Sequence, residues 1–206
     1  MEREWTVEES VRVAASPDEV YAAVADPRRM REWSPELFAV WVRGGGEIGE
    51  GTRFVGFNRL GWRIWFTNCE VTAAIPGRAF AFRVSSFGMP VALWGYRVEG
   101  IALSGADGAD APDTDGTPDT DGARDTGGAP DTGGARDTDG APESTRLAEY
   151  WQDLRRDSRS AGLVSLLGRV FTGVPAENRA AVNRRGMRAT LERIRVTVEA
   201  RPARRP

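Results

Sequence analysis

Thr52-Arg-Phe-Val-Gly-Phe-Asn-Arg-Leu-Gly-Trp-Arg-Ile-Trp-Phe-Thr-Asn-Cys-Glu-Val71 reads as two β-strands and the turn between them. Residues 52–58 and 62–71 are rich in aromatic and β-branched side chains, and Arg59-Leu60-Gly61 supplies the break. The pattern continues outward in both directions. Pro76-Gly77 marks the next turn, and residues 80–85 and 91–101 read as further strands. Residues 145–153 resume the alternation after a long interruption, and 38–42 precede the pair, separated from it by a Gly-rich turn. Consecutive strands of this kind imply an antiparallel sheet. Trp5-Thr-Val-Glu-Glu-Ser-Val-Arg-Val13 alternates with period two and is expected to join that sheet as an edge.

Helix signals flank the strands. Ser16-Pro17-Asp18-Glu19 combines a capping serine, a proline at the first helical position and a glutamate that can close a capping box. The short helix it starts runs through Val24, and Asp26-Pro27 begins a second one that reaches Trp33 and ends at Pro35. Near the C-terminus, Leu163, Leu166, Leu167, Val170 and Phe171 form the apolar stripe of a short helix. A longer helix is predicted from about Pro175 to Ala200, with Ala180, Asn183, Met187, Thr190, Leu191, Ile194 and Val198 inward. Arg179, Arg184, Arg185, Arg188 and Arg193 are expected on its outer face. The predicted class is α+β: a curved antiparallel sheet wrapped around a long C-terminal helix, with two short helices after the first strand. Such packing buries both apolar faces and often leaves a cavity between them.

Composition removes several chemistries. The 206 residues contain no histidine, one cysteine (Cys69) and no lysine, since all 28 basic residues are arginine. Ser-His-Asp and Cys-His catalysis, His-ligated zinc, Schiff-base chemistry and P-loop phosphate binding therefore drop out. A multi-cysteine metal site is also excluded, so no metal or cofactor is expected. No apolar stretch has the length of a membrane span, and residues 1–10 are polar and acidic, unlike a secretory signal; a cytoplasmic protein is expected.

The net charge of −2 conceals an uneven distribution. Residues 104–143 carry −9 and the remaining 166 residues carry +7. Within the acidic stretch, a six-residue period begins at Gly116-Thr-Pro-Asp-Thr-Asp121 and continues to Ala141. A β-solenoid would need a bulky apolar residue in each repeat, where this chain offers alanine. Asp119/Asp121 and Asp137/Asp139 resemble part of a calcium loop but lack its spacing and closing glutamate. The stretch reads as a disordered acidic Gly/Ala/Asp/Thr/Pro repeat inserted between two strands. The organisation expected is a single domain of 1–103 and 144–200, the insert at 104–143 and a flexible tail at 201–206. The arginines are spread over many segments, so no nucleic acid partner is expected.

Four segments together resemble a known group: Asp26-Pro-Arg-Arg-Met-Arg-Glu-Trp-Ser-Pro-Glu36, Gly51-Thr-Arg-Phe-Val-Gly-Phe-Asn58, Pro76-Gly-Arg-Ala-Phe80 and Asn183-Arg-Arg-Gly-Met-Arg-Ala-Thr-Leu191. They are similar to the START-related helix-grip superfamily, and most closely to bacterial members labelled polyketide cyclase/dehydrase or SRPBCC. The resemblance spans 2–103 and 144–199 and implies the helix-grip fold. It does not single out one activity, because the superfamily mixes lipid carriers, hormone receptors, cyclases and oxygenase subunits. The insert departs from the family pattern, which has a short hairpin there.

Gly44-Gly-Gly-Glu-Ile-Gly49 is a literal G-x-G-x-x-G, but a strand follows it where a dinucleotide site requires a helix, so it reads as a turn. The tryptophans carry more weight. Trp33, Trp41, Trp62, Trp65, Trp94 and Trp151 lie in or beside predicted elements and suggest an aromatic-lined cavity. Period two groups Phe54 with Gly56 and Asn58, Trp65 with Thr67 and Cys69, Trp94 with Tyr96 and Val98, and Leu147 with Glu149 and Trp151. The predicted cavity set is Trp33, Phe54, Asn58, Trp65, Thr67, Phe82, Trp94, Tyr96, Glu149, Trp151, Asn183, Met187 and Thr190. Glu149 either faces solvent or an arginine, or is buried with a raised pKa and acts as a general acid or base. Glu149 and Tyr96 are thus the candidate catalytic residues. Cys69 reads as a small buried hydrophobe. The 163–171 stripe, preceded by Arg155, Arg156 and Arg159, is expected beside the long helix at the cavity mouth, with peripheral membrane contact as the alternative.

The function expected is binding, with transport or sequestration, of a hydrophobic small molecule such as a lipid or aromatic polyketide. With no nucleophile–base pair in view, an enzyme of the cyclase/dehydratase kind comes second. A regulatory or interaction protein using the acidic insert comes third. Oligomeric state is not readable.

Overall fold

The computed structural model describes residues 4–86, 88–101, 144–157 and 178–201. The acidic insert, the 163–171 stripe, the helix start at Pro175 and the tail beyond Arg201 lie outside the described residues. The elements run β1 (Thr6–Val13), α1 (Pro17–Val24), a 3-10 turn (Pro27–Glu32), β2 (Leu37–Val42), β3 (Arg53–Leu60), β4 (Arg63–Ile75), β5 (Ala79–Ser86), β6 (Met89–Ile101) and β7 (Ser144–Asp153). A second 3-10 turn (Leu154–Asp157) and the helix α2 (Arg179–Glu199) follow.

The strands form one antiparallel sheet in the order β1-β7-β6-β5-β4-β3-β2. β2 to β7 are neighbours in chain order, and β1 closes against the last strand, as an edge. Pairing is in register over the elements that matter most: Glu9 stands opposite Glu149, Glu149 opposite Tyr96, Trp151 opposite Trp94, and Trp94 opposite Phe82. Directly opposed residues share a face, so these side chains project to the same side of the sheet. β4 runs beyond Val71 because a bulge between Val71 and Ala73 lets it keep pairing with β5.

Local chemistry explains the connections. Ser16 accepts from the Glu19 backbone N–H at 3.3 Å, and the Glu19 carboxylate accepts from the Ser16 N–H at 3.1 Å, a complete capping box. Asp26 accepts from the Arg28 N–H at 2.9 Å and opens the 3-10 turn. Gly77 turns β4 into β5 at φ +65°, a backbone conformation that favours glycine, and a Cβ there would displace the Asp18 carboxylate, 2.6 Å away.

α2 buries Ala180, Asn183, Met187, Thr190, Leu191, Ile194 and Val198, the stripe read from the sequence. Val7, Val13, Val20, Val24, Phe80, Leu147 and Ile194 form the best-buried part of the core. Arg184 and Arg188 lie at the flank of α2, where both pair with Glu9 of the edge strand β1, and Arg184 also reaches Glu4. The structure corrects one assignment to the outer face: Arg179 turns inward to Glu36 at 2.8 Å. Arg193 stays exposed and donates to the Trp33 carbonyl at 3.1 Å. Trp41 in β2 and Trp62 in the turn between β3 and β4 stand outside the cavity, 58% and 83% exposed, with Arg43 and Arg63 over their rings. The Gly44–Gly49 stretch is a bend that leads into β3.

Candidate functional site

A cavity of about 220 Å³ lies between the sheet and α2. β3 contributes Phe54 and Asn58, β4 Trp65 and Thr67, β5 Phe82, β6 Trp94 and Tyr96, and β7 Glu149 and Trp151. α2 closes it with Asn183, Met187 and Thr190. These are the residues grouped by period two and by the inward stripe, with one correction. Trp33 does not line the cavity. Its N–H closes the 3-10 turn on the Met30 carbonyl at 3.3 Å, and its ring is 1% exposed in the packed core. Met30, Ser34 and Pro35 reach the cavity wall in its place.

The polar lining falls into three groups. At the β3–β4 wall, Asn58 Nδ2 donates to the Gly56 carbonyl at 3.3 Å and approaches Thr67 Oγ1 at 3.4 Å. Gly56 makes room for this cluster: a Cβ there would stand 3.0 Å from Leu37 and 3.2 Å from Thr67 Oγ1. Cys69 sits beside it, 6% exposed, with burial pushing its thiol up to about 12. It behaves as a small hydrophobe, because a thiolate is not formed at neutral pH.

At the opposite wall, Glu149 is 5% exposed, and its partner among the described residues is Tyr96, whose hydroxyl donates to Oε1 over a long 3.5 Å. Burial raises its carboxyl from the usual 4.5 to about 8, and the Tyr96 hydrogen bond pulls weakly the other way. Glu149 is therefore largely a neutral acid at pH 7. Tyr96 is raised well above its ordinary value, first by burial and then by Glu149.

Two ion pairs complete the lining. Arg155, in the 3-10 turn after β7, grips Asp153 at 2.8 and 2.6 Å, both side chains buried. Arg179, at the first turn of α2, holds Glu36. The sequence reading missed Arg155, Arg179 and Glu36 as lining residues. The Asp153-Leu-Arg155 spacing was a usable signal, whereas Glu36 and Arg179 are 143 residues apart and nothing local pairs them. Among the buried polar atoms, Glu149 Oε2, Asn183 Nδ2 and Arg179 Nη1 have no hydrogen-bond partner. Among the described residues no cluster of three or more Cys, Asp or Glu is placed to hold a metal ion, and no helix is long and apolar enough to cross a membrane.

Comparison with known proteins places this geometry. A family model described as polyketide cyclase / dehydrase and lipid transport matches residues 4–109, just over half of the chain. The Polyketide_cyc-like protein Cgl2372 from Corynebacterium glutamicum is similar, with 25% identity and a TM-score of 0.51, over 97% of this chain and 94% of that one. The Zhui aromatase/cyclase from Streptomyces sp. R1128 shares the fold at 17% identity and a TM-score of 0.55, over 94% of this chain and 93% of that one. The di-domain aromatase/cyclase BexL from the BE-7585A biosynthetic pathway matches at 14% identity and a TM-score of 0.53, over 96% of this chain and 51% of its own length. Comparison with curated proteins returns no match. With a seven-stranded antiparallel sheet gripping a C-terminal helix and a family match over strands β1 to β6, the chain belongs to the polyketide cyclase/dehydrase and lipid transport family, in the helix-grip superfamily.

Proposed function

We propose that the chain binds an apolar small molecule, of the lipid or aromatic polyketide class, in the cavity between the sheet and α2, as a carrier or sequestering protein. The observation that carries this reading is the lining itself: Phe54, Trp65, Phe82, Trp94 and Trp151 surround a space that a few buried polar groups enter. A cavity of about 220 Å³ exceeds the ~150 Å³ that stays dry and takes up benzene in an engineered core. Its size suits two fused rings or a medium acyl chain. Native mass spectrometry of the freshly purified protein, followed by organic extraction, tests the reading. A reproducible apolar mass, lost in Met187→Trp, supports it. A clean apo mass, together with no thermal shift from a panel of lipids and aromatic polyketides, would remove its support.

A second reading is an enzyme of the cyclase/dehydratase kind, and the Tyr96–Glu149 pair favours it. A carboxyl held near 8 can give or take a proton at neutral pH, and the aromatic walls could orient a substrate against it. Turnover lost in Glu149→Gln with binding retained would establish that role.

A further inference from the structure

We infer that the cavity selects an uncharged apolar molecule carrying an oxygen acceptor, a ketone, ester or lactone carbonyl, and anchors that oxygen with hydrogen-bond donors from Glu149 and Asn183. The inference rests on the cavity being a ligand site and specifies the chemistry it takes.

The polarity of the unpaired atoms decides the class. Asn183 Nδ2 is a donor, 3% exposed as a residue and without a partner. Glu149 Oε2 is equally buried and equally unpartnered. Tyr96 already donates to Oε1, so the proton of the neutral carboxyl belongs on Oε2, which makes that atom a donor too. Native folds seldom leave buried donors unmet, and a ligand acceptor would meet these.

The charge of the site decides the rest. From β1, Glu9 stands in register with Glu149, and Arg184 and Arg188 of α2 neutralise it. From β6 comes Tyr96, and from β4 comes Cys69, both kept uncharged by burial. Arg155 is balanced by Asp153, and Arg179 by Glu36, although Arg179 keeps one free nitrogen. Among the described residues no cation in the lining lacks its counter-ion, so a carboxylate would enter at the cost of its hydration without a matching charge.

Three naphthalenes of nearly equal shape test this by calorimetry at pH 7: 2-acetylnaphthalene, 2-ethylnaphthalene and 2-naphthoate. The ketone is expected to bind about tenfold tighter than the hydrocarbon, the worth of one or two neutral hydrogen bonds. It should also bind tighter than the carboxylate. Glu149→Leu should erase the ketone's advantage over 2-ethylnaphthalene. Glu149→Gln keeps a donor and should retain the advantage. In the wild-type protein the advantage should fall as pH passes through about 8, since the carboxylate only accepts, and Glu149→Gln should abolish that fall. The wild-type pH series stands by itself should Glu149→Leu fail to fold. Equal binding of ketone and hydrocarbon would overturn the inference and leave the cavity reading intact, as would tightest binding of the carboxylate. No binding of any of the three would sink both.

Discussion

Glu149 makes the stability of this protein fall with rising pH over a range in which few other groups titrate. The fold raises its carboxyl from 4.5 to about 8, so the folded state favours the protonated form. The sign follows from proton counting. Between those values the unfolded chain has released this proton and the folded chain has kept it, so stability drops as pH rises. The contribution is complete below the unfolded value and gone above about 8. Each tenfold in proton affinity is worth about 1.4 kcal/mol, so the whole effect is about 5 kcal/mol, a large fraction of the stability of an ordinary domain. The absence of histidine clears the window, because no imidazole titrates between pH 5 and 8. The assay is urea unfolding followed by tryptophan fluorescence at half-unit steps from pH 5 to 8.5, for wild type and Glu149→Gln. Glutamine keeps the shape and a contact to Tyr96 but carries no titrating proton. Wild-type stability is expected to decline by several kcal/mol across the range, and the variant curve to lack that decline. Parallel curves would refute the reasoning, and with it the acid role in the second functional reading.

Other perturbations probe separate parts of the structure. Asp153→Ala strands the buried Arg155 guanidinium and should cost about 3–5 kcal/mol in urea unfolding, far more than removal of an exposed pair such as Arg53–Glu70. Ser16→Ala removes the cap of α1 and should cost about 1 kcal/mol. Cys69 should resist a thiol reagent at pH 8 in the folded protein and react fully in denaturant, a contrast read from absorbance. On the expectation from the sequence that residues 104–143 are a flexible loop, replacing them by a tight turn between β6 and β7 should stabilise the protein by about 2 kcal/mol, the difference in closure entropy between a loop of roughly 40 residues and one of about four. An insert that is itself ordered would show no such gain.

The parts of the site that lie within one strand or one helix were legible early. Counting by twos from Trp65 leads to Thr67 and Cys69, and from Trp94 to Tyr96, and the structure lines the cavity with all of them. Counting along α2 finds Asn183, Met187 and Thr190 for the same reason: backbone periodicity fixes which residues share a face. Which face points inward is a different matter. Trp41 looks as suited to a cavity as Trp65 does, but it stands opposite Val55, out of phase with Phe54 and Gly56, and Trp62 sits in the turn between β3 and β4. Trp33 differs from the strand tryptophans because it caps the 3-10 turn and packs into the core rather than onto the cavity wall. Arg155, Arg179 and Glu36 stayed hidden because arginine on a helix or turn normally reads as solvated surface. Their burial depends on partners that the fold brings together. Period two groups Glu149 with Leu147 and Trp151, but whether it is solvated or buried is decided by the register of β6 and β7, which brings it against Tyr96.

The pairing of β1 with β7 has a consequence for biosynthesis. The ribosome delivers β1 first, yet its hydrogen-bonding partner emerges about 140 residues later, as the separation of Val7 and Trp151 shows. α2, the other surface that covers the aromatic faces of β3 to β6, is made later still. A nascent chain therefore carries an unzipped strand and an open apolar sheet for most of its translation, a state prone to sticking to itself or to chaperones. The cavity comes into being only once β7 and α2 have both been made, so whatever occupies it is loaded after the sheet is complete.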